Sequence, residues 1–435
     1  MFTYGWTRNR CRSLMAGSVL ALALPSFAAT LCVQPQGHLG CQKTIGAAIA
    51  AAAPGDVVYV WPGVYKEQVT ITQSVSLVAI PGSHTVIDAT GLSNGILING
   101  MAAAPMPGVA NVVVSGFEVR HANFEGILVA NASNVTLTDN NVHHNNLSLD
   151  TSALACPNIP AFETNEGEDC GEGIHLMAAD HATVRHNDVD FNSGGILTSD
   201  ETGPSHDNLI AGNQVHDNQY DCGITLASHG PAPDVVNQGP FGIWNNTISH
   251  NSSYRNGTKQ PGAGAGVGIF APFPGTTDAG NVVIGNDIFD NGLPGVTMHN
   301  HASAPAPAPP VNMNDNKIIG NHIHGNAADT EDAATSGPTG INLYSTAPVT
   351  GTVISGNDID NEAIAIAYNV PSGQLSVHFN DLPRSIGIDN IGTGTVDATE
   401  NWWNCLTGPG SGHCASVMGT GVTTSPWLFT PAVTY

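Results

Sequence analysis

The stretch Gly173–Asp221 reads GIHLMAADHATVRHNDVDFNSGGILTSDETGPSHDNLIAGNQVHDNQYD and nearly repeats itself. GIHL followed by V-R-H-N-D-V-D-F-N gives way to GILT followed by I-A-G-N-Q-V-H-D-N. Each unit holds three short apolar segments, Ile174/Leu176, Val184 and Val189 in the first, with Asn187 between the last two. The connections lack the two-residue Asn-Gly or Asp-Gly signal of a hairpin, so an antiparallel meander is excluded. Three strands closing on one turn and stacking on the next instead read as one coil of a parallel β-solenoid.

The same asparagine marks coils through most of the chain, at Asn140, Asn187, Asn213, Asn246, Asn286, Asn321, Asn357, Asn380 and Asn401. Uninterrupted spacings are about 21 to 26 residues, one three-sided coil. An amide at a turn donates and accepts along the solenoid axis, so the series is expected to stack as a ladder. The fold class expected is all-β: a single-stranded right-handed parallel β-helix with a short N-terminal capping helix. That helix is the Ala-rich run Thr44–Ala53, stopped by Pro54-Gly55. Wider spacings predict loop insertions at about 147–171, 228–239, 252–266, 302–311 and 327–338 of one domain spanning 29–435.

Residues 1–28 carry Arg8, Arg10 and Arg12, then LMAGSVLALALPSFA, the order of a cleavable export signal. A secreted or periplasmic location is therefore expected, with no membrane span. The chain holds 35 Asp plus Glu against 11 Lys plus Arg, a formal charge of −24, which repels nucleic acid and anionic lipid. Export permits disulfides, and the cysteines fall in close pairs: Cys32 with Cys41, Cys156 with Cys170, Cys405 with Cys414. Cys222 is left over beside Ile224, as an inert buried thiol.

The segment from Ala52, Ala-Ala-Pro-Gly-Asp-Val-Val-Tyr-Val-Trp-Pro-Gly-Val-Tyr-Lys-Glu, resembles the opening of pectin-lyase-like right-handed parallel β-helix proteins. Pectin methylesterases and the periplasmic repeat proteins of nitrous-oxide-reductase maturation open in a similar way. The closing Asn401-Trp-Trp with a following Gly-Pro resembles the terminal coil of that superfamily. The resemblance implies the fold; it leaves lyases, hydrolases, epimerases, esterases and non-enzymes open, and the polysaccharide partner expected rests on the outward residues below. The Gly-His-Gly with paired Asp of polygalacturonases, the methylesterase core motif and the Asp-Pro-His-Asp of mannuronan epimerases are not found in the sequence.

Chemistry is expected on the strand that opens Gly-Ile-x-Leu in each coil, where alternate residues face outward. Thr225, Phe270, Thr297 and Asn342 are read into one outward row and His299 and Tyr344 into a second, a lining suited to sugar rings. Glu172 and Asp221 precede such strands, Asp200, Glu201 and His229 follow them, and His175 lies within one. Coils stack about 4.8 Å apart, so these groups are expected to meet as acid and base across adjacent coils. Several carboxylates at that spacing would also ligate Ca²⁺, the one cofactor expected. His143-His144 and His299/His301 are further metal candidates. The rival to a polysaccharide-cleaving or epimerising enzyme is a non-catalytic solenoid that binds glycan or serves a structural role in the envelope.

Overall fold

The computed structural model describes residues 1, 28–82, 84–101, 108–146, 171–230, 240–259, 264–300, 310–330, 334–410 and 413–433. The export signal, the Cys156–Cys170 pair and most of the loops at 147–171, 228–239 and 302–311 lie outside them.

Strand Thr30–Val33 and helix Ile45–Ala51 close the N-terminal end. The helix is two residues shorter than Thr44–Ala53 at its C-terminal end and starts one later, with Thr44 as N-cap accepting from the Ala47 amide. Its first free amides, Ile45 and Gly46, donate to the two oxygens of Glu67 at 2.8 and 2.9 Å. A carboxylate there satisfies orphan donors and complements the helix dipole. Ile45, Ala48 and Ile49 are buried over the first coil, which removes its apolar end from water.

Every paired strand is parallel, and the coils have three sides. The first face runs from Val69–Ile71 to Ser416–Gly419, the second from Asp56–Val60 to Val422–Thr423, and the third from Gly63–Tyr65 to Asp358–Asp360. Faces one and two are hydrogen-bonded into one 28-stranded sheet, because strands such as Ile127–Thr138 turn the corner without breaking. The third is a separate ten-stranded sheet. Inward Val, Ile and Leu fill the lumen from Val33 to Ala415, and Trp403 is wholly buried in the last coil.

Asparagine forms three ladders rather than one. The ladder closest to the expected series runs Asn140, Asn187, Asn213, Asn251, Asn286, Asn321, Asn357, Asn380 and Asn401, each side chain donating to the next at 2.8–3.0 Å. Asn246 is not in it. Asn246 stacks between Asn208 and Asn281 at another corner, and Asn251 takes the place assigned to it. A third ladder runs Asn145, Asn192, Asn218, Asn256, Asn291, Asn326 and ends on Glu362. Most of these amides also donate to a backbone carbonyl, as Asn251 does to Ile210 at 3.0 Å, and Asn281 donates to the Asp278 carboxyl at 2.6 Å instead, so the corner peptides are satisfied without water.

Ser252–Tyr254, read as the start of the 252–266 insertion, is a strand of the third face. Ser253 occupies the inward position that Val215 and Ile288 hold on its neighbours. Its hydroxyl is satisfied by donating to the Gly266 carbonyl at 2.7 Å, which lets a polar residue sit in an apolar row.

Candidate active site

Glu125 and Glu172 hold the same position on consecutive coils, because Ile127 pairs with Ile174. One oxygen of Glu125 accepts the Glu172 amide at 2.8 Å, and the other lies 3.1 Å from Nδ1 of His175. Glu172 Oε2 is 3.9 Å from the same nitrogen. On its other side, Nε2 of His175 is 2.7 Å from Oγ of Ser199, one coil on. The Ser199 hydroxyl donates to Glu201, and the second oxygen of Glu201 is 2.7 Å from Nδ1 of His229. Five side chains from three coils and their connections thus form one buried chain, Glu125–His175–Ser199–Glu201–His229. Glu125, His175, Ser199 and Glu201 are at most 4% exposed, while His229 reaches the surface of a cleft.

The proton count follows from the donors. With the serine hydrogen committed to Glu201, Nε2 of His175 must donate to that hydroxyl. Nδ1 of His175 faces the Glu125 carboxyl across 3.1 Å. Passing the Nε2 hydrogen to the serine oxygen as the serine hydrogen passes to Glu201 would move one proton toward His229, and rotation of the hydroxyl would then reset the link.

Two adjacent carboxyls are pushed in opposite directions. Burial disfavours the charge on Glu201, but His229, His175 and the Ser199 hydroxyl outweigh it and hold the group at about 2. Burial, then the charge of Glu201, pushes Asp200 up to about 6, against hydrogen bonds from the Ser228 hydroxyl and the Gly230 amide at 2.8 and 2.9 Å. Burial also pushes Asp278, beside Asp200, well above the usual carboxylate range. A carboxyl that keeps its proton next to one that has lost it is the division of labour acid–base chemistry needs.

His229 opens on a cleft of about 300 Å³ lined also by Ser228, Phe241, Phe273 and Thr276, and Asp200, itself wholly buried, lies in its wall. Phe273 presents half its surface to solvent there, a flat apolar face beside titratable groups. A larger recess of about 400 Å³ at the last coils, lined by Gln374, Thr395, Asp397 and Thr399 among others, offers one carboxylate and no imidazole.

The six acid–base candidates are therefore only partly brought together. Glu172, His175, Asp200, Glu201 and His229 surround the chain. Asp221 lies at the start of its strand, where its amide donates to Ser193 at 3.2 Å, whereas Asp200, Glu201 and His229 follow strand ends. A six-residue strand such as Gly194–Ser199 separates those ends by about 16 Å, so sharing one sheet does not bring them into contact. Two functional residues were missed. Glu125 repeats the Glu-Gly-Ile of 172–174 at 125–127, a signal present in the sequence, and Ser199 stands one coil on from Met177 in an outward row.

The sugar-binding candidates are placed differently from expectation. Thr225, Gly268, Thr297 and Asn342 form one outward row, so Phe270 leaves it for the second, beside Ala227, His299 and Tyr344. The Gly268-Ile269 pair mimics the Gly-Ile strand opening, but Val267 is the inward residue that pairs with Ile224. Gly268 is needed under Phe270: a Cβ there would lie 2.3 Å from the ring. Thr225, Thr297, His299 and Asn342 are at most 5% exposed, because loops fold over this face; Asp329, for example, accepts from the Asn342 amide at 3.2 Å. Phe270 packs against a small apolar cluster of Cys222, Ala265 and Leu293 outside the lumen. Cys222 is free and buried, and burial first of all raises its thiol well above the usual range.

Calcium finds a poor donor set among the described residues. The grouped metal-ligating side chains, such as Glu125, Glu172 and His175, all include an imidazole, whereas calcium takes six to eight oxygens.

This architecture is a right-handed parallel β-helix. Residues 77–238 match the family model described as the right handed beta helix region. Among solved structures the chain is similar to an alginate lyase from Paenibacillus sp. str. FPU-7, at 13% identity and a TM-score of 0.50, covering 76% of this chain and 95% of that one. It is also similar to the A-module of the Azotobacter vinelandii mannuronan C-5 epimerase AlgE4, at 16% identity and 0.50, covering 81% and 94%. The catalytic unit of a GH87 alpha-1,3-glucanase from Streptomyces thermodiastaticus strain HF3-3 matches at 15% identity and 0.50, covering 88% and 66%. These likenesses are of fold. No curated protein sequence matches the chain. No described helix is long and apolar enough to cross a membrane.

Proposed function

We propose that the protein is an exported polysaccharide-active enzyme that cleaves or epimerises a glycan by acid–base chemistry in the cleft at Asp200 and His229. The observation that carries this reading is the pairing of Asp200, its carboxyl raised to about 6, with an imidazole fixed by ionised Glu201. Asp200 is the proton donor to the leaving oxygen, and His229 takes a proton from water or from a sugar carbon. The proton that His229 gains leaves through the open cleft and Asp200 regains one, while the chain back to Glu125 holds the His229 ring in place through Glu201. Phe273 offers a sugar ring its stacking face. The alginate lyase, the epimerase and the glucanase that share the fold support a glycan as the ligand class.

The test is a panel of neutral and uronate glycans given to the mature protein and to Asp200→Asn and His229→Gln. New reducing ends without an unsaturated product identify hydrolysis; unsaturated uronates identify elimination; altered uronate stereochemistry identifies epimerisation. Turnover that falls about 10²–10⁴-fold in both variants supports the assignment. Turnover that survives both variants places the chemistry elsewhere, and glycan binding without turnover by the wild type supports a non-catalytic binding module.

A further inference from the structure

The third face carries a second cluster of ligating side chains, on the sheet that contributes nothing to the cleft. Strand His322–His324 reads His-Ile-His; Ile323 points into the lumen and both imidazoles point out. Asp287 is the register partner of His322 on the preceding coil, and Asp360 that of His324 on the following one. Oδ1 of Asp287 is 3.0 Å from Nδ1 of His322 and 3.7 Å from Nε2 of His324. Nε2 of His322 lies 3.7 Å from Asp360.

We propose that Asp287, His322 and His324 form a binding site for a divalent transition cation of the zinc class. Zinc–nitrogen and zinc–oxygen bonds of about 2.0–2.2 Å set tetrahedral donors about 3.3 Å apart, and the two measured separations from Asp287 bracket that value. Two imidazoles and one carboxylate suit zinc, cobalt or nickel and not calcium. Three protein donors leave the fourth position to water, on a face where these side chains are half-open to solvent. Asp360, on the other nitrogen of His322, supplies the outer carboxylate that fixes the ring of a metal-bound histidine.

His324 is also held in place before any ion arrives. Its ring stacks on Phe289 with centroids 5.0 Å apart and planes at 2°, at the end of a file through Tyr254 to His216. The aspartate and the histidines belong to consecutive coils, so the cation would clip those coils together from outside. A surface His–Asp ion pair alone has no reason to take up a cation.

The full mature chain, untagged and stripped with chelator, is titrated with Zn²⁺ by calorimetry and with Co²⁺ by visible absorption at neutral pH. One equivalent is expected, with the ligand-field spectrum of a low-symmetry site, and zinc should raise the melting temperature. His322→Ala combined with His324→Ala should lose that equivalent, and Asp360→Asn should weaken it about tenfold or more. His143→Ala, at the other histidine pair, should keep it. The melting temperature of each metal-free variant controls for folding. No uptake by the wild type, or uptake unchanged in the double variant, overturns the site.

Discussion

Nε2 of His175 lies 2.7 Å from Oγ of Ser199, and this contact joins the glutamate–histidine pair on one coil to the glutamate–histidine pair beyond the next. Ser199 is a positioning residue, since it faces other protein groups and not the cleft. Ser199→Ala should therefore lower kcat about tenfold or more with little change in KM, and should move the pH profile as Glu201 loses its donor. Ser199→Thr, which keeps the hydroxyl, should restore most of the rate. A profile identical to wild type in Ser199→Ala would show that the chain carries no proton.

Asp200 makes stability depend on pH in a stated direction. Its folded value of about 6 lies above the usual 3.8, so the native state holds a proton that the unfolded chain has lost across that window. Stability from this group is full below about pH 4 and falls as pH rises to about 6, by about 3 kcal/mol. Relative to Asp200→Asn, the wild type should lose that much between those pH values in urea melts. Glu201 acts the other way, its contribution present above 4.5 and lost as pH falls toward 2. A pH-independent difference between the two proteins would contradict the raised carboxyl.

The corner ladders should dominate stability locally. Asn251→Ala removes a donor to Ile210 and Asn286 and an acceptor for Asn213, all buried. Leaving such groups unpaired costs about 1–3 kcal/mol each, so a loss of several kcal/mol is expected. Asn141→Ala, exposed on a third-face strand, should stay within about 0.5 kcal/mol of wild type. Equal effects at the two positions would show that the ladder contributes little.

The solenoid was legible because its signals are local and repeat: inward aliphatics at period two, and an asparagine at each turn. The ladder was read as single although Asn208, Asn213 and Asn218, or Asn281, Asn286 and Asn291, stand five apart in one coil. Taking one line through three sets is what misplaced Asn246. The site was legible by region and not by contact. Which carboxylate meets which imidazole depends on strand length and stagger, so Glu172, His175, Asp200, Glu201 and His229 could be named by region, while Asp221 stands before its strand and Asp200, Glu201 and His229 follow theirs. The covered outward row was not legible because burial there comes from loops of other coils, such as Asp329 over Asn342. The His-Ile-His strand was passed over because the 18 histidines look scattered until register aligns Asp287 with His322.

Cys222 should be silent in the native protein. Its thiol is 3% exposed and its ionisation is opposed by burial. A thiol reagent should label it only after denaturation, and Cys222→Ala should leave turnover unchanged, because the thiol packs with Ala265 and Leu293 away from the cleft. Rapid labelling of the folded protein would place the thiol at the surface.

The central claim, that Asp200 is the proton donor, is tested most directly by the pH dependence of kcat/KM on the glycan that the panel identifies. The rate should fall on the alkaline side with a midpoint near 6, the value at which Asp200 loses its proton, and Asp200→Asn should abolish that limb together with most of the rate. An Asp200→Asn enzyme that keeps the wild-type rate and the same alkaline limb would contradict the account.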